Sequence, residues 1–452
     1  MNLKKNIYIH LEILTRELSS HLLLSVIALK KNFRVYIGDS YSLEKLLIRK
    51  NKKEGIFIAK GNIDKSLHDL IKKKCDKLVS LDQEITPGFS NKYYCDVIKT
   101  RYGKLTNNFD LFFVCNDKIK KSFLNTFSIN KNKVISTGWP RIDLFRKEFL
   151  SLFSKKILKV KKKYGKFYLF NSDFGHLTKI ELKNKAKFLK KSISNQNVIN
   201  KLLPKYNIDD FENFKKFLKK LKKLEKLPKI VFRPHPAENL SEWEKIKKID
   251  PRFVIGYPKN DVTEMIHASE GVLHRGCTTA YQSIISKKKT GYINLTHGLK
   301  SLNDFRPYVY KYSNKIKSVN ELQKWFGDKN KNKIPKELYN VLNIKKKISS
   351  ECIIEELEKL EVSFQKKNYK FKLYNKSELQ YRKYKSLIYD FLSTLKLLDQ
   401  KNYYKLNTQV KIGRKFNKSF LINEIKIISK ALFVKRKITV SKITDNLFEI
   451  DT

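Results

Sequence analysis

Apolar β-type segments alternate with helical segments along most of this 452-residue chain. A buried strand is predicted over residues 6–13 and another over 33–39, with a helix over 15–31 between them. Further strands are predicted at 55–61, 76–84, 110–116 and 133–145, with a helix over 64–74. Because strands that alternate with helices pair in parallel, this order predicts an α/β fold with a doubly wound sheet.

The alternation begins again at about Lys166. Strands are predicted at 166–175, 229–235, 252–258, 271–277 and 290–295, with a charged helical stretch running to about residue 226. We therefore expect two α/β domains, 1–150 and 165–345, facing each other across a cleft and joined by a solvated basic stretch. The chain is also too long for one ordinary core. Helical periodicity after residue 346 predicts a lysine-rich helical tail over 346–452.

The charge of the chain bears on its partners. Lys and Arg number 97 against 44 Asp and Glu, a formal net charge of +53, and only 13 of the cations are arginine. Specific nucleic-acid readers use arginine forks and aromatic platforms in recognisable modules, and no such module is found. The lysine excess instead predicts solvated faces that attract sugar nucleotides and anionic membrane surfaces, with no specific nucleic acid.

Targeting and cysteine patterns favour a cytoplasmic location. No run of about 18 apolar residues predicts a membrane span, and the first residues lack the apolar core and cleavage site of a signal peptide. The five cysteines are scattered without a CxxC pair, so neither a zinc site nor a disulfide framework is expected.

The segment "IVFRPHPAENLSEW" (230–243) runs from an apolar strand into a proline-flanked histidine. Because proline ends strand interiors, Arg233 and His235 are expected at the carboxyl end of a strand, where ligands bind in open α/β sheets. Glu238 lies in the same loop and is a third candidate for nucleotide binding. A rigid surface turn, in which only the prolines matter, is an equal alternative.

The segment "GVLHRGCTTAYQSI" (271–284) pairs a strand with the start of a helix. A helix N-terminus offers free N–H groups to a phosphate, and Gly276 permits close backbone approach. The expected nucleotide-binding residues here are Arg275, Gly276, Cys277, Thr278 and Thr279. The alternative is simple N-capping by Thr278. No Walker-type GxxxxGK[ST] loop is present.

Acidic and polar residues of other loops complete the candidates. Asp82 or Glu84, between a strand and a proline-glycine turn, could act as a general base, although ordinary turn chemistry is favoured by roughly two to one. Glu12 and Arg16 follow the first strand and are candidate substrate contacts, or equally helix-surface charges. Asn171, within the strand predicted at 166–175, is a further candidate substrate contact.

A series of segments resembles the bacterial surface-carbohydrate biosynthesis proteins, glycosyltransferases with the two-Rossmann GT-B fold. The segments are "LEILTREL", "VYIGD", "AKG", "LDQE", "TGWPRIDLF", "KYGKFYLFNSDFG", "RPHPAEN" and "HRGCTTAYQS". They cover about residues 6–300 in order and leave out the tail. The set is also similar to the motifs of CMP-sialic acid and CMP-Kdo transferases. That resemblance implies Glu84 or Asp82 as the base, His235 as the phosphate donor, and Thr278 and Thr279 as a hydroxyl pair.

The resemblance implies an inverting glycosyltransferase that moves a sugar, CMP-linked by preference, from a nucleotide donor to a glycan or lipid-linked acceptor. It implies no cofactor beyond the nucleotide-sugar co-substrate, and no metal site. Those families have two adjacent acids followed by glycine, whereas Gln83 separates Asp82 from Glu84 here, so the choice of base stays open. The alternatives are a CDP-glycerol-type glycerophosphotransferase, whose motif "RPHP" also resembles, and a basic scaffold or nucleic-acid-binding protein.

Overall fold

Two separate parallel sheets organise the protein, which confirms the α/β class and the restart of the alternation. The computed structural model describes residues 3–61, 65–83, 85, 91–174, 208–235, 238–256, 262–293, 295, 307–328, 334–365, 384, 388, 391–392 and 416–452. The chain divides into a first unit (Met1–Pro87, Val97–Leu152 and Tyr339–Thr452) and a second unit (Gly88–Asp96 and Phe153–Leu338).

Six parallel strands form the centre of the first sheet. They are β1 (Lys4–His10), β2 (Phe33–Gly38), β3 (Ile56–Ala59), β4 (Lys77–Leu81), β5 (Leu111–Val114) and β6 (Val134–Ser136). Their order is β2-β1-β3-β4-β5-β6, and β2 and β3 are buried along their whole length, as in sheets covered on both faces. The order reverses between β1 and β3, and ligands of open α/β sheets bind outside the carboxyl ends of strands at such a reversal.

Helices follow these strands along the chain. They are α1 (Leu14–Lys30), α2 (Ser40–Ile48), α3 (Lys65–Lys74), α4 (Asn91–Tyr102), α5 (Asp117–Thr126) and α6 (Pro140–Asp143), with 3₁₀ turns at Gly103–Asn108 and Lys131–Lys133. The strand predicted over 133–145 is wrong beyond Ser136. Gly138 has a φ of 85° and Pro140 occupies the first turn of α6, a position that suits its fixed φ and missing N–H.

The second sheet contains six strands, all parallel. They are β7 (Tyr168–Asn171), β8 (Ile230–Arg233), β9 (Phe253–Ile255), β10 (Gly271–His274), β11 (Lys289–Ile293) and β12 (Asn314–Ile316). Their order is β9-β8-β7-β10-β11-β12, with each pairing parallel. This is the doubly wound order of dinucleotide-binding folds, and it reverses between β7 and β10.

Seven helices accompany this sheet in the described part of the second unit. They are α7 (Ser154–Tyr164), α8 (Ile208–Leu221), α9 (Leu240–Lys247), α10 (Val262–Ala268), α11 (Thr279–Ile285), α12 (Pro307–Lys311) and α13 (Val319–Gly327). The basic stretch predicted as a linker is instead a 3₁₀ turn, Lys147–Phe153, followed by α7. Aromatic side chains dominate the core: Phe170, Phe214 and Trp243 are fully buried together.

The C-terminal region contains α14 (Lys336–Val341), which precedes the predicted helical tail, and α15 (Ser349–Glu358) and α16 (Lys418–Ala431), which lie within it. It also adds three strands that the sequence did not predict, β13 (Phe364–Gln365), β14 (Thr439–Thr444) and β15 (Leu447–Asp451). β15 pairs antiparallel with β2, and β13 with β1. From Tyr339 onward the chain therefore belongs to the first unit and does not form a third domain. The cleft expected between the two units stays a prediction.

Candidate functional site

Three polar residues end neighbouring strands of the second sheet. Asn171 ends β7 and pairs in register with Arg233 of β8 on one side and His274 of β10 on the other. Because adjacent strands lie roughly 4.8 Å apart, the "RPHP" and "RGCTT" segments leave the sheet at the same edge, on either side of Asn171. The strand order reverses between β7 and β10, so this edge has the position of a ligand site.

A side-chain hydrogen bond joins β7 to the start of α11 at that reversal. The Nδ2 of Asn171 donates to Oγ1 of Thr279 over 3.0 Å, and the Thr279 hydroxyl donates to Sγ of Cys277 over 3.2 Å. Asn171 is only 1% exposed, and no described residue donates a hydrogen bond to its Oδ1. An amide oxygen buried without a donor is costly.

Thr278 lies at the N-cap position of α11 but does not cap it. Its backbone is helical, with φ −63° and ψ −16°, and its side chain makes no capping hydrogen bond. The residue is half-buried. The N-capping alternative for Thr278 is therefore not what the structure has, and its hydroxyl is not used by the helix.

The N–H of Gly276 is used inside the protein, and the close backbone approach of a phosphate to Gly276 stays a prediction. It donates to Nδ1 of His274 over 3.0 Å. Because Nδ1 accepts, Nε2 of His274 carries the proton and donates to Oγ of Ser313 over 2.8 Å, which in turn donates to the Val309 carbonyl over 2.7 Å. Burial lowers the pKa of His274 to about 3, so the imidazole is neutral.

Arg275 makes its contacts inside the second unit, and its predicted role in nucleotide binding stays a prediction. Its guanidinium forms a buried ion pair with Asp210 of α8, donates to the Asp173 carbonyl over 3.3 Å, and lies 4.7 Å from the ring centroid of Phe174. With 6% of its surface exposed, Arg275 ties α8 to the loop after β10 and is a positioning residue.

Glu238 makes hydrogen bonds inside the second unit, and its predicted part in nucleotide binding stays a prediction. Its buried carboxylate accepts hydrogen bonds from the Ser172 hydroxyl (2.7 Å), the backbone N–H groups of Phe174 (2.9 Å) and His235 (3.1 Å), and Nε1 of Trp243 (3.0 Å). Charged acceptors make the stronger hydrogen bonds of this kind. Glu238 thereby holds the loop after β7 against the loop that carries His235.

Arg233 and His235 are at the accessible side of this arrangement. Arg233 is half-buried at the end of β8, and His235 is exposed two residues later. Cys277, Thr278 and Thr279 are half-buried at the same edge, and ligand binding by these residues stays a prediction.

The first sheet carries a charged network at its own reversal. Lys60, which directly follows β3, forms ion pairs with Glu12 and with Glu17, the latter over 3.3 Å. Glu17 also accepts from the backbone N–H of Glu12 over 2.8 Å and pairs with Arg16 over 3.2 Å. Burial alone raises the pKa of Glu17, but the charges of Lys60 and Arg16 outweigh it and bring the pKa to about 2.

His21, Lys60 and Arg141 complete this network and were not predicted as site residues from the sequence. A small pocket in the first unit is lined by Arg16, Glu17, His21, Lys60, Leu81, Gln83 and Arg141. Burial lowers the pKa of His21, whose Nδ1 lies 2.8 Å from the Glu17 carbonyl. The available signal was that Lys60 and Arg141 lie in two segments of the motif series, "AKG" and "TGWPRIDLF". Their place in one network was not predictable from the sequence, because Arg141 reaches the carbonyl of Gln83 from a point 58 residues away.

Of the two acids considered as the base, one lies in the described part of the chain. Asp82 follows β4, is buried, and forms an ion pair with Arg101. Its Oδ2 also accepts from the Tyr102 hydroxyl at 3.5 Å. Asp82 therefore has a structural partner that the turn interpretation did not include. Glu84 lies outside the described residues.

Among the described residues, no group of three or more His, Cys, Asp or Glu side chains is arranged to hold a metal ion. No helix in the described ranges is both long enough and apolar enough to cross a membrane.

The chain matches no family model and no curated protein. Among solved structures, it is similar to UDP-GlcNAc 2-epimerase from Methanocaldococcus jannaschii in complex with UDP-GlcNAc and UDP (TM-score 0.48, 13% identity, covering 78% of this chain and 99% of that one). It is also similar to UDP-GlcNAc 2-epimerase from Neisseria meningitidis bound to UDP-GlcNAc (0.45, 12%, 79% and 100%). A third is a variant of the wall teichoic acid polymerase TagF (0.43, 11%, 79% and 88%). At these TM-scores and identities, the likeness does not assign a function to this chain.

Proposed function

We propose that the carboxyl edge of the second sheet binds the nucleotide of a nucleotide sugar, and that the chain is a glycosyltransferase acting on a surface glycan. The observation that carries the proposal is the Asn171–Thr279 hydrogen bond at the strand-order reversal. It holds the start of α11 beside the end of β7, next to the uncommitted Thr278 hydroxyl. Open α/β sheets bind nucleotides at this position.

Arg233 and His235 would contact the phosphate of the donor. A guanidinium can donate two parallel hydrogen bonds to phosphate oxygens, and an imidazole N–H can donate another. The net charge of +53 supports an anionic donor because it raises the local concentration of anions. The motif resemblance alone favours a CMP-linked nonulosonate or Kdo-type sugar.

The proposed reaction is a direct, inverting displacement. A carboxylate takes the proton of an acceptor hydroxyl, the oxygen attacks the anomeric carbon, and the bond to the nucleotide phosphate breaks with its electron pair leaving on the phosphate. Arg233 and His235 stabilise that leaving charge electrostatically, and the proposal invokes neither a metal nor a cofactor. Because Arg101 and Tyr102 engage Asp82, Glu84 is the proposed base.

Calorimetric titration with CMP-, UDP- and GDP-linked sugars and with CDP-glycerol tests the binding step. Arg233→Lys removes the guanidinium and its two parallel donors. It should raise the Kd of the tightest-binding ligand about tenfold, which is what one hydrogen bond to a charged group contributes. Arg252→Lys is the matched control, since Arg252 pairs with Asp250 just before β9, at the opposite edge of the same sheet. Thr278→Val should weaken binding by about threefold or more.

Each result of the titration has a meaning. No binding of any sugar nucleotide, or equal losses in Arg233→Lys and Arg252→Lys, would contradict the proposal. Tightest binding of CDP-glycerol would favour the glycerophosphotransferase alternative, and salt-dependent binding of generic RNA alone would favour the scaffold. In a transfer assay with the donor so found, Glu84→Gln should lower turnover by roughly a hundredfold or more while donor affinity holds.

A further inference from the structure

Phe433 occupies a backbone position that favours glycine. It follows the last turn of α16 with a φ of 53°. Its N–H donates to the Lys430 carbonyl over 3.2 Å, and the N–H of Val434 donates to the Ser429 carbonyl over 2.9 Å. These are the two hydrogen bonds of a Schellman motif, whose left-handed residue is usually glycine. A residue with a Cβ pays roughly 1–2 kcal/mol in that conformation.

Packing of the Phe433 side chain does not offset the free-energy cost of its positive φ. Phe433 is 88% exposed, the highest exposure among the large apolar residues described. Burying a phenylalanine side chain would be worth about 1.5–3 kcal/mol, and this side chain gains almost none of it. Neither the backbone nor the core accounts for a phenylalanine here, and strained residues of this kind concentrate at functional sites.

Exposed cations surround the strained residue. Lys435, Arg436 and Lys437 follow it directly, and all three are exposed. No acidic residue within the described ranges forms an ion pair with them. The loop after α16 therefore combines one projecting aromatic ring with three consecutive positive charges.

The outer face of α16 also combines an exposed apolar residue with exposed cations. Ile422, Lys426 and Lys430 are exposed at four-residue spacing, so they lie along one face of the helix. The opposite face buries Leu421 and Ile425 where α16 contacts α1. We call the outer face and the loop, with Ile422, Lys426, Lys430, Phe433, Lys435, Arg436 and Lys437, the α16 surface.

We propose that the α16 surface binds a bilayer that contains anionic lipids, with Phe433 inserted among the acyl chains and the cations on the lipid phosphates. Basic amphipathic helices with projecting apolar residues bind in this way, and each Lys or Arg near the surface adds about 1 kcal/mol. RNA is the weaker candidate, because an exposed aliphatic residue such as Ile422 gains nothing from a phosphate backbone. The proposal does not depend on the nucleotide site.

Phe433→Gly separates membrane binding from folding. Glycine accepts a positive φ without strain, so this variant should be at least as stable as the parent in urea unfolding. Its affinity for vesicles of phosphatidylglycerol and phosphatidylcholine, measured by sedimentation of the full chain, should fall about tenfold or more, the worth of one buried phenylalanine. Leu158→Gly on α7 is the control, because Leu158 is 66% exposed on a lysine-rich helix.

A charge-reversal pair tests the cations. Replacing Lys435, Arg436 and Lys437 together by Glu should weaken vesicle binding by roughly a hundredfold or more. The same replacement of Lys161, Lys162 and Lys163, three consecutive exposed lysines of α7, changes the net charge equally and should have far less effect. Equal losses in both triple variants would mean attraction by the whole cationic protein and would overturn the proposal.

Vesicle and RNA controls complete the test. Vesicles of phosphatidylcholine alone should bind weakly. The proposal would also be overturned if Phe433→Gly bound vesicles as well as the parent does. The same holds if the triple variant at 435–437 lost RNA binding but kept vesicle binding.

Discussion

Asn171 and Thr279, 108 positions apart in the chain, are joined by a 3.0 Å hydrogen bond between Nδ2 and Oγ1 at the reversal of the second sheet. The Thr279 hydroxyl also donates to Cys277, so it acts both as an acceptor and as a donor, and these two hydrogen bonds set its orientation. A β-strand end and a helix start are thus held together by side chains, beside the two motifs proposed to bind the donor.

We expect Thr279→Val to destabilise the second unit by about 1–3 kcal/mol, because it leaves the buried Nδ2 of Asn171 without an acceptor. Thr279→Ser keeps the hydroxyl and should recover most of that loss. Urea unfolding followed by tryptophan fluorescence measures both, since Trp243 and Trp325 lie in this unit. Equal stability of the Val and Ser variants would show that the hydrogen bond contributes nothing.

Gly276→Ala should be much more damaging than Gly103→Ala, although both glycines have positive φ, 102° and 50°. A Cβ at Gly276 would lie 2.8 Å from the Tyr310 hydroxyl, whereas one at Gly103 meets nothing within 4 Å. Gly103→Ala should cost roughly 1 kcal/mol of backbone strain. Adding Tyr310→Phe to Gly276→Ala removes the clashing hydroxyl and should restore part of the lost unfolding free energy. If the effects of the two substitutions on the unfolding free energy simply add, the clash is not the cause.

Glu238→Gln should destabilise the second unit by roughly 2–3 kcal/mol. The glutamine amide replaces one carboxylate oxygen with an NH₂ group. That group would face the N–H and O–H donors that now bond to Glu238, so at least one buried hydrogen bond is lost. Glu244→Gln, at an exposed ion pair with Lys247, should change the unfolding free energy by less than about 0.5 kcal/mol. Hydrogen exchange should locate the Glu238→Gln effect in the loop after β7, and a uniform effect across the unit would be unexpected.

Acid should loosen the first unit through Glu17. Its folded pKa of about 2 lies below the ordinary value of 4.5, so the ionised form stabilises the fold above about pH 4.5 and that stability is lost as the pH falls toward 2. The difference corresponds to about 3 kcal/mol. Glu17→Gln should lose that stability at pH 7 and show a flatter pH dependence of hydrogen exchange in β1 between about pH 5 and 2. Glu355→Gln, at an exposed pair with Lys347, is the control, because it removes one acid from the surface.

Asp451, the penultimate residue, anchors β15 to the first sheet. It accepts from Nζ of Lys4 over 2.6 Å and from Nε of Arg34 over 3.0 Å, and all three side chains are buried. Asp451→Asn leaves two buried cations without their anion and should cost about 3–5 kcal/mol. Asp445→Asn, at the exposed pair with Lys442, should cost less than about 1 kcal/mol. Similar losses at both positions would contradict a buried network.

The alternation of apolar runs with helical segments was enough to predict two parallel sheets and the strands that carry Arg233, Asn171 and His274, although the predicted strands ran past the observed ends. This part succeeds because a buried parallel strand is a local pattern, readable in a few consecutive residues. The C-terminal strands were not predicted, because β15 is defined by its pairing with β2, more than 400 positions earlier.

The roles of the polar residues were decided by the tertiary structure. A charged side chain after a strand can reach outward to a ligand or inward to a partner, and composition does not distinguish the two. Arg275 turns inward because Asp210 lies 65 positions away in sequence and next to it in space. Glu238 and Asp82 are likewise held by donors that fold up around them. Burying such charges is costly unless they are paired, and the pairing partners exist only once the chain has folded.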